Sequence, residues 1–189
     1  MAPLPAGEWD ERLTRLLERS PGGTEEPMHI FTTLGRADPE LFRRWLGFGG
    51  ALLSGRLPGR LRELVILRTA CRFGGRYEWA QHIELGAEQG VTAAELVALG
   101  DVAGDLHALG WSPLERAALP AVDVTADDGA VSDETWRALD GQLDQGELIE
   151  LLMLIAHYLM LTTVLRSLRV ELEPRAEALA FAVPGGPAA

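Results

Sequence analysis

The chain has 189 residues, 47% of them hydrophobic, which suits one compact domain with a sizeable core and is short for two independent ones. With 17 Lys and Arg against 28 Asp and Glu, its net charge of -11 repels phosphate backbones and anionic membranes, so neither nucleic acid nor a membrane is an expected partner. The single cysteine, Cys71, excludes an intrachain disulfide and any CxxC pair and fits a reducing compartment, and residues 1–10 carry no signal-peptide pattern, so the expected location is the cytoplasm.

Taken in chain order, nearly every segment carries a helical period and the breaks carry helix-start chemistry, which predicts an all-α fold. A first helix is expected over 9–19, followed by a loop rich in Gly and Pro over 20–27. Asp38 before Pro39 is an N-cap with proline at the first helical position and opens a helix over 40–53. After a loop at 54–60, helices are expected at 61–73 and 77–89, hinged at Gly74-Gly75. Thr92 with Glu95, and Ser112 with Glu115, have the capping-box spacing. A loop at 125–130 and helices at 133–143 and 147–170 complete the pattern.

The apolar run 148–161 is interrupted by Glu150 and His157 and falls short of the about 20 residues of a membrane span, so it reads as a core helix. Residues 1–183 are expected to form a single domain with a flexible tail at 184–189. Glu63-Leu-Val-Ile-Leu and Glu150-Leu-Leu-Met-Leu each place an acid ahead of an apolar helix. Two degenerate helical repeats would explain this, and so would the similar composition of two buried helices.

Between Glu63 and His82 the polar residues fall where apolar ones belong. At about 100° per residue, Glu63 shares a face with Ile66, Leu67 and Ala70, with Cys71 at its edge, while Arg62, Arg68, Thr69 and Arg72 gather opposite. Past the glycines, Glu78, His82, Leu85, Gly86 and Gln89 share a face with Trp79 beside it. Glu78 and His82, four apart, are placed to pair, and a carboxylate so placed fixes an imidazole tautomer and raises its basicity. Glu63 and His82 could face each other across one small pocket, giving two proton-transfer groups without a metal. The bland alternative has Glu63 paired with Arg68 or Arg72, and Glu78 with His82 as an ordinary ion pair. His157 and Glu150 lie on one stripe of the last long helix with Met153, Leu154, Leu161 and Val164, so both should face the core; His157 and Tyr158 could line the same cavity from the far side. His29 and His107 show no partner. No ligand cluster with zinc spacing and no nucleotide fingerprint occurs, so neither metal nor cofactor is expected.

Leu-Phe-Arg-Arg-Trp45, Arg62-Glu-Leu-Val-Ile-Leu-Arg68 and Tyr77-Glu-Trp-Ala-Gln-His82 resemble the carboxymuconolactone decarboxylase family, which includes the AhpD-like alkylhydroperoxidases. The likeness extends more loosely over 112–173. It implies an all-α domain assembled as a homotrimer or homohexamer, with the active site at or near a subunit boundary. The peroxidase branch carries E-x(11)-C-x-x-C-x-x-x-H; Glu63 and His82 match its ends, while Gly75 and Glu78 stand at the two cysteine positions. A dithiol peroxidase cannot operate through one misplaced thiol. The resemblance therefore implies the cofactor-free branch, with a small lactone or carbonyl compound as substrate and decarboxylation or a proton shift as reaction. Catalytic roles fall to His82, Glu63 and Glu78, and substrate contacts to Trp79, Tyr77, Arg68, Cys71 and His157. A peroxidase or thiol protein using Cys71, and a non-catalytic oligomeric binding module, stand as alternatives.

Overall fold

A computed structural model describes residues 1–102, 106 and 109–180. Among them the chain forms one short 3-10 turn and ten α-helices, and no strand. The helices are α1 (Glu11–Leu17), α2 (His29–Leu34), α3 (Pro39–Leu53), α4 (Gly59–Phe73), α5 (Arg76–Glu88), α6 (Ala93–Gly100), α7 (Pro113–Asp128), α8 (Asp133–Asp140), α9 (Gln145–Leu168) and α10 (Pro174–Ala180). His107 and the expected tail at 184–189 lie outside the described residues.

Helix starts follow side-chain chemistry. Asp38 accepts from the amides of Glu40 and Leu41 and starts α3, and both expected capping boxes form, at Thr92 with Glu95 and at Ser112 with Glu115. A third box, Asp144 with Glu147, starts α9 two residues ahead of the expected position. The expected loop over 125–130 is corrected: α7 runs through Asp128 and stops at Gly129, whose φ of 77° is left-handed. Asp and Thr there resemble loop composition, but the helix needs no breaker until that glycine. Helices α2 and α10 were not expected; α2 has six residues and no side-chain cap, too little pattern to read.

Helix α4 is the hub, packed against α5, α6, α7 and α9. Every residue from Glu63 to Cys71 is buried, so α4 has no solvent face, and the expectation that Arg68 and Thr69 point outward is overturned. One core cluster joins Val65 and Ile66 to Ala121, Leu151 and Leu154; a second joins Leu64, Leu67 and Cys71 to Trp79, Leu99 and Trp111. Helix α9 is long and apolar enough to cross a membrane, yet half of its most apolar stretch is buried inside the fold. Of the stripe expected to face the core, Leu154, His157 and Leu161 are buried, whereas Met153 is exposed. Glu150 is half-buried and accepts from the amides of Arg56 and Leu57 at 3.0 and 3.1 Å, which fixes the turn before α4. Glu63 and Glu150 thus hold different partners despite their similar sequence surroundings.

Candidate active site

The α4–α5 connection sets the site. Gly74 closes α4 with φ 70°, the Gly75 amide reaches back to the Ala70 carbonyl at 2.6 Å, and α5 begins at Arg76. This turn lays α5 along α4 and brings Glu63 and His82 together. The His82 Nδ1 lies 2.7 Å from Glu63 Oε2, and both side chains are buried. A carboxylate only accepts, so Nδ1–H donates to it and Nε2 is left as the acceptor. The Tyr158 hydroxyl of α9 donates to that Nε2 at 3.0 Å, with the two rings edge to face at 5.2 Å. Glu63, His82 and Tyr158 form one hydrogen-bonded chain. Behind it, Arg62 Nε stands 3.6 Å from the other Glu63 oxygen, too far for a hydrogen bond but within ion-pair distance. Burial first, then the charges of Glu63 and Glu78, raise the Tyr158 pKa far above its usual value, so its O–H stays protonated.

The chain ends on a cleft of about 570 Å³. Phe31, Trp45, Leu46 and Leu161 contribute apolar wall, and Glu78, His82, His157 and Tyr158 contribute polar groups. The volume suits a small organic molecule.

Glu78 does not pair with His82 as the spacing had implied, because the imidazole uses its two nitrogens on Glu63 and Tyr158. Its side chain folds back over Gly75 instead. A Cβ placed at Gly75 would lie 2.6 Å from Thr162 Oγ1 and 2.8 Å from Glu78 Oε2. The two positions where the redox pattern has sulfur are therefore filled by one carboxyl leaning over a glycine. Both Glu78 oxygens and the Thr162 hydroxyl are buried without a hydrogen-bond partner. Burial raises the Glu78 pKa; its own backbone amide, the nearby Thr162 hydroxyl, His82 and Arg166 offset part of that rise without meeting hydrogen-bond geometry at either oxygen.

His157 lines the cleft with Nδ1 unpartnered, its ring edge-on to Tyr158 at 5.5 Å and to Phe48 at 5.3 Å; burial lowers its pKa, so the ring is neutral. Tyr77 also lines the cleft, accepting from the Ile30 amide at 3.1 Å and donating to Glu173 at 2.6 Å. Glu173 further accepts from the His29 amide and from Gln81, each at 2.6 Å, and so ties α2, α5 and the start of α10 into one rim.

Three residues expected to contact substrate do not line the cleft. Arg68 is buried on the α6–α7 side, bidentate to Asp123 at 2.8 and 2.9 Å and donating to the Leu99 and Asp101 carbonyls at 2.9 Å. Cys71 donates to the Gly100 carbonyl at 3.1 Å, and burial raises its thiol pKa. Trp79 is fully buried in the second core cluster. Helical periodicity places Cys71 and Trp79 beside the faces of Glu63 and His82 and Arg68 on the opposite side, but α4 is enclosed and all three pack against its other neighbours. Tyr158, the third member of the chain, was visible in the sequence only as the neighbour of His157. Among the described residues no three His, Cys or carboxylate side chains are grouped to hold a metal ion.

Residues 39–124, from the start of α3 into α7, match the carboxymuconolactone decarboxylase family. No curated protein matches the chain in sequence. The apo structure of the debrominase Bmp8 aligns with a TM-score of 0.75 at 17% identity, covering 97% of this chain and 97% of that one. A cysteine-to-alanine Bmp8 variant in complex with 2,3,4-tribromopyrrole gives 0.74 at 17% identity over 97% and 96%. An alkylhydroperoxidase AhpD core, a peroxidase-related protein from Ralstonia eutropha JMP134, gives 0.74 at 16% identity over 94% of both chains. At such identities the likeness is one of fold. The chain thus shares the AhpD-like helical fold, carries a stretch over 39–124 that matches the carboxymuconolactone decarboxylase family, and, with a single cysteine, has no CxxC pair.

Proposed function

We propose that the protein is a cofactor-independent acid–base enzyme that acts on a small lactone or carbonyl compound by decarboxylation or a proton shift. The observation carrying this reading is the Glu63–His82–Tyr158 chain opening on the cleft. A tyrosinate is costly at this buried position, so the hydroxyl gives its proton to His82 Nε2 as it takes one from the substrate carbon. Glu63 stabilises the imidazolium that forms. Reversal of the relay onto a different carbon completes the shift with no atom gained or lost. Positioned acid–base groups of this kind contribute ~10²–10⁴-fold in rate.

Thiol chemistry finds less support, because Cys71 is hydrogen-bonded to Gly100 and does not line the cleft. A purely structural role for the inward acids suits Arg68 and Asp123 but leaves Glu78 and His157 without explanation. The test is turnover and exchange on a panel of small lactones and ketones in D2O. Deuterium should enter the carbon beside the carbonyl with the parent protein and not with His82→Ala; equal exchange in both would end the proposal.

Self-association as a trimer or hexamer belongs to the same reading. Ile149, Met153 and Met160 form an exposed apolar stripe along α9, which a second copy would cover. Light scattering that gives a monomer would count against it.

A further inference from the structure

The cleft is short of positive charge. The guanidinium groups that border it, Arg19 and Arg175, are exposed. Arg68 and Arg72, which could have met a substrate carboxylate, are held by Asp123 and Asp127 on the far side of α4. Along the cleft itself stand Glu78, Glu84 and Glu88, and Glu63 lies directly behind His82. An anion entering here would lose its water and meet only the exposed, solvated guanidinium groups of Arg19 and Arg175, with no buried cation to offset a desolvation cost of several kcal/mol. A largely apolar molecule loses nothing comparable, and its burial against Phe31, Trp45 and Leu161 is favourable.

Among the polar groups of the lining that stand outside the relay, Glu78 is the most buried. Glu78 is 2% exposed and neither oxygen has a partner, although buried carboxyls are almost always hydrogen-bonded. It belongs to the cleft lining on α5, one helical turn ahead of His82. A change of side-chain rotamer that swings the carboxyl off Gly75 would present it to a ligand on the same helix face as the imidazole.

We propose that the cleft takes an uncharged, largely apolar carbonyl compound and discriminates against its carboxylate-bearing counterpart, with the Glu78 carboxyl as hydrogen-bond donor to the carbonyl oxygen. This rests on the cleft being the substrate site, and it narrows the reaction: with no carboxylate admitted, a proton shift replaces decarboxylation. As the relay draws a proton from carbon, negative charge develops on the carbonyl oxygen, and a buried O–H donor stabilises that charge where water is excluded. Glu78 O–H lends its hydrogen bond, the C–H bond breaks, and the proton returns at another carbon.

Calorimetric titration with coumarin and with coumarin-3-carboxylate reads the proposal without any need for turnover. Coumarin should bind the parent protein at least roughly tenfold more tightly than the carboxylate. Glu78→Leu should weaken coumarin binding by about tenfold, while Glu78→Gln, which keeps an N–H donor of similar size, should stay within about threefold of the parent. Circular dichroism of the variants separates misfolding from lost contact. Equal or tighter binding of the carboxylate, failure of coumarin to bind, or an unchanged coumarin affinity in a folded Glu78→Leu protein would overturn it. A retained preference for coumarin together with deuterium exchange unaffected by His82→Ala would sink the acid–base reading and leave this one standing.

Discussion

Helix α4 buries an arginine toward α7 and a glutamate toward α5, and the two surroundings are finished differently. Around Arg68 four of the five N–H groups meet an acceptor: two carboxylate oxygens of Asp123 and two backbone carbonyls, all within 2.9 Å. Around Glu63 the hydrogen bonds run through His82 and Tyr158 and stop at a cleft, beside Glu78, His157 and Thr162 with unpaired atoms. Buried charge is equally costly on both sides. A group answered in this way holds helices in place, whereas a group left open beside a cavity keeps capacity for a ligand.

The largest effect should come from cutting the open side at its centre. His82→Ala is expected to lower kcat/KM by ~10²–10⁴-fold with the helical spectrum retained, and a rate close to the parent's would place His82 with Arg68 among the structural groups. Cutting the answered side should damage stability instead. Arg68→Ala leaves the Leu99 and Asp101 carbonyls without their donor and Asp123 with only its ion pair to Arg72 at 3.3 Å, and should cost about 1–3 kcal/mol in a denaturant titration. If activity per folded molecule fell while stability held, the contrast between the two sides would be wrong.

The turn above the cleft offers a sharper test. Gly75→Cys pushes a side chain against Thr162 and Glu78 and should cost about 1–3 kcal/mol. Adding Glu78→Cys removes one obstacle, so the double variant should recover at least about 0.5 kcal/mol relative to the sum of the singles. Strict additivity would mean that Glu78 does not occupy the space of the missing side chain.

A pH series isolates Glu78 itself. Its folded pKa is raised, so above the ordinary carboxyl range the unfolded chain gives up this proton while the folded chain keeps it, and stability declines as pH climbs toward the raised value. Glu78→Gln removes that decline. Its melting temperature relative to the parent should rise from pH 4 to pH 8, and a constant difference would show that the carboxyl is ionised in the fold. Cys71→Ser should change least, with stability within about 1 kcal/mol and turnover unchanged.

Much of this arrangement was legible in the chain, and the misreadings share one cause. Glu63 was placed inward and opposite His82 by helical geometry, and the caps at Asp38, Thr92 and Ser112 follow from local chemistry that survives folding. A wheel drawn for α4 assumes one wet side, and a helix enclosed by four neighbours has none, so Arg68 was sent to the wrong environment. Glu78 and His82 were paired because they are four residues apart, but the partners that His82 found lie 19 and 76 residues away. Tyr158 could not be chosen from the many residues of an apolar run until α9 was set against α5.

The Glu173 carboxylate carries a consequence for the timing of assembly. It closes contacts with Tyr77, Gln81 and the His29 amide across 96, 92 and 144 residues of chain. As the polypeptide emerges from the ribosome, α4 and α5 can pack and Glu63 can meet His82 well before that acid exists. The rim of the cleft is then fastened only once residue 173 has been made, and until that moment Tyr77 lacks its Glu173 acceptor. Competence to hold a ligand should appear as a step after the acquisition of helical structure, and a chain arrested just short of Glu173 would be folded at its centre and loose at its mouth.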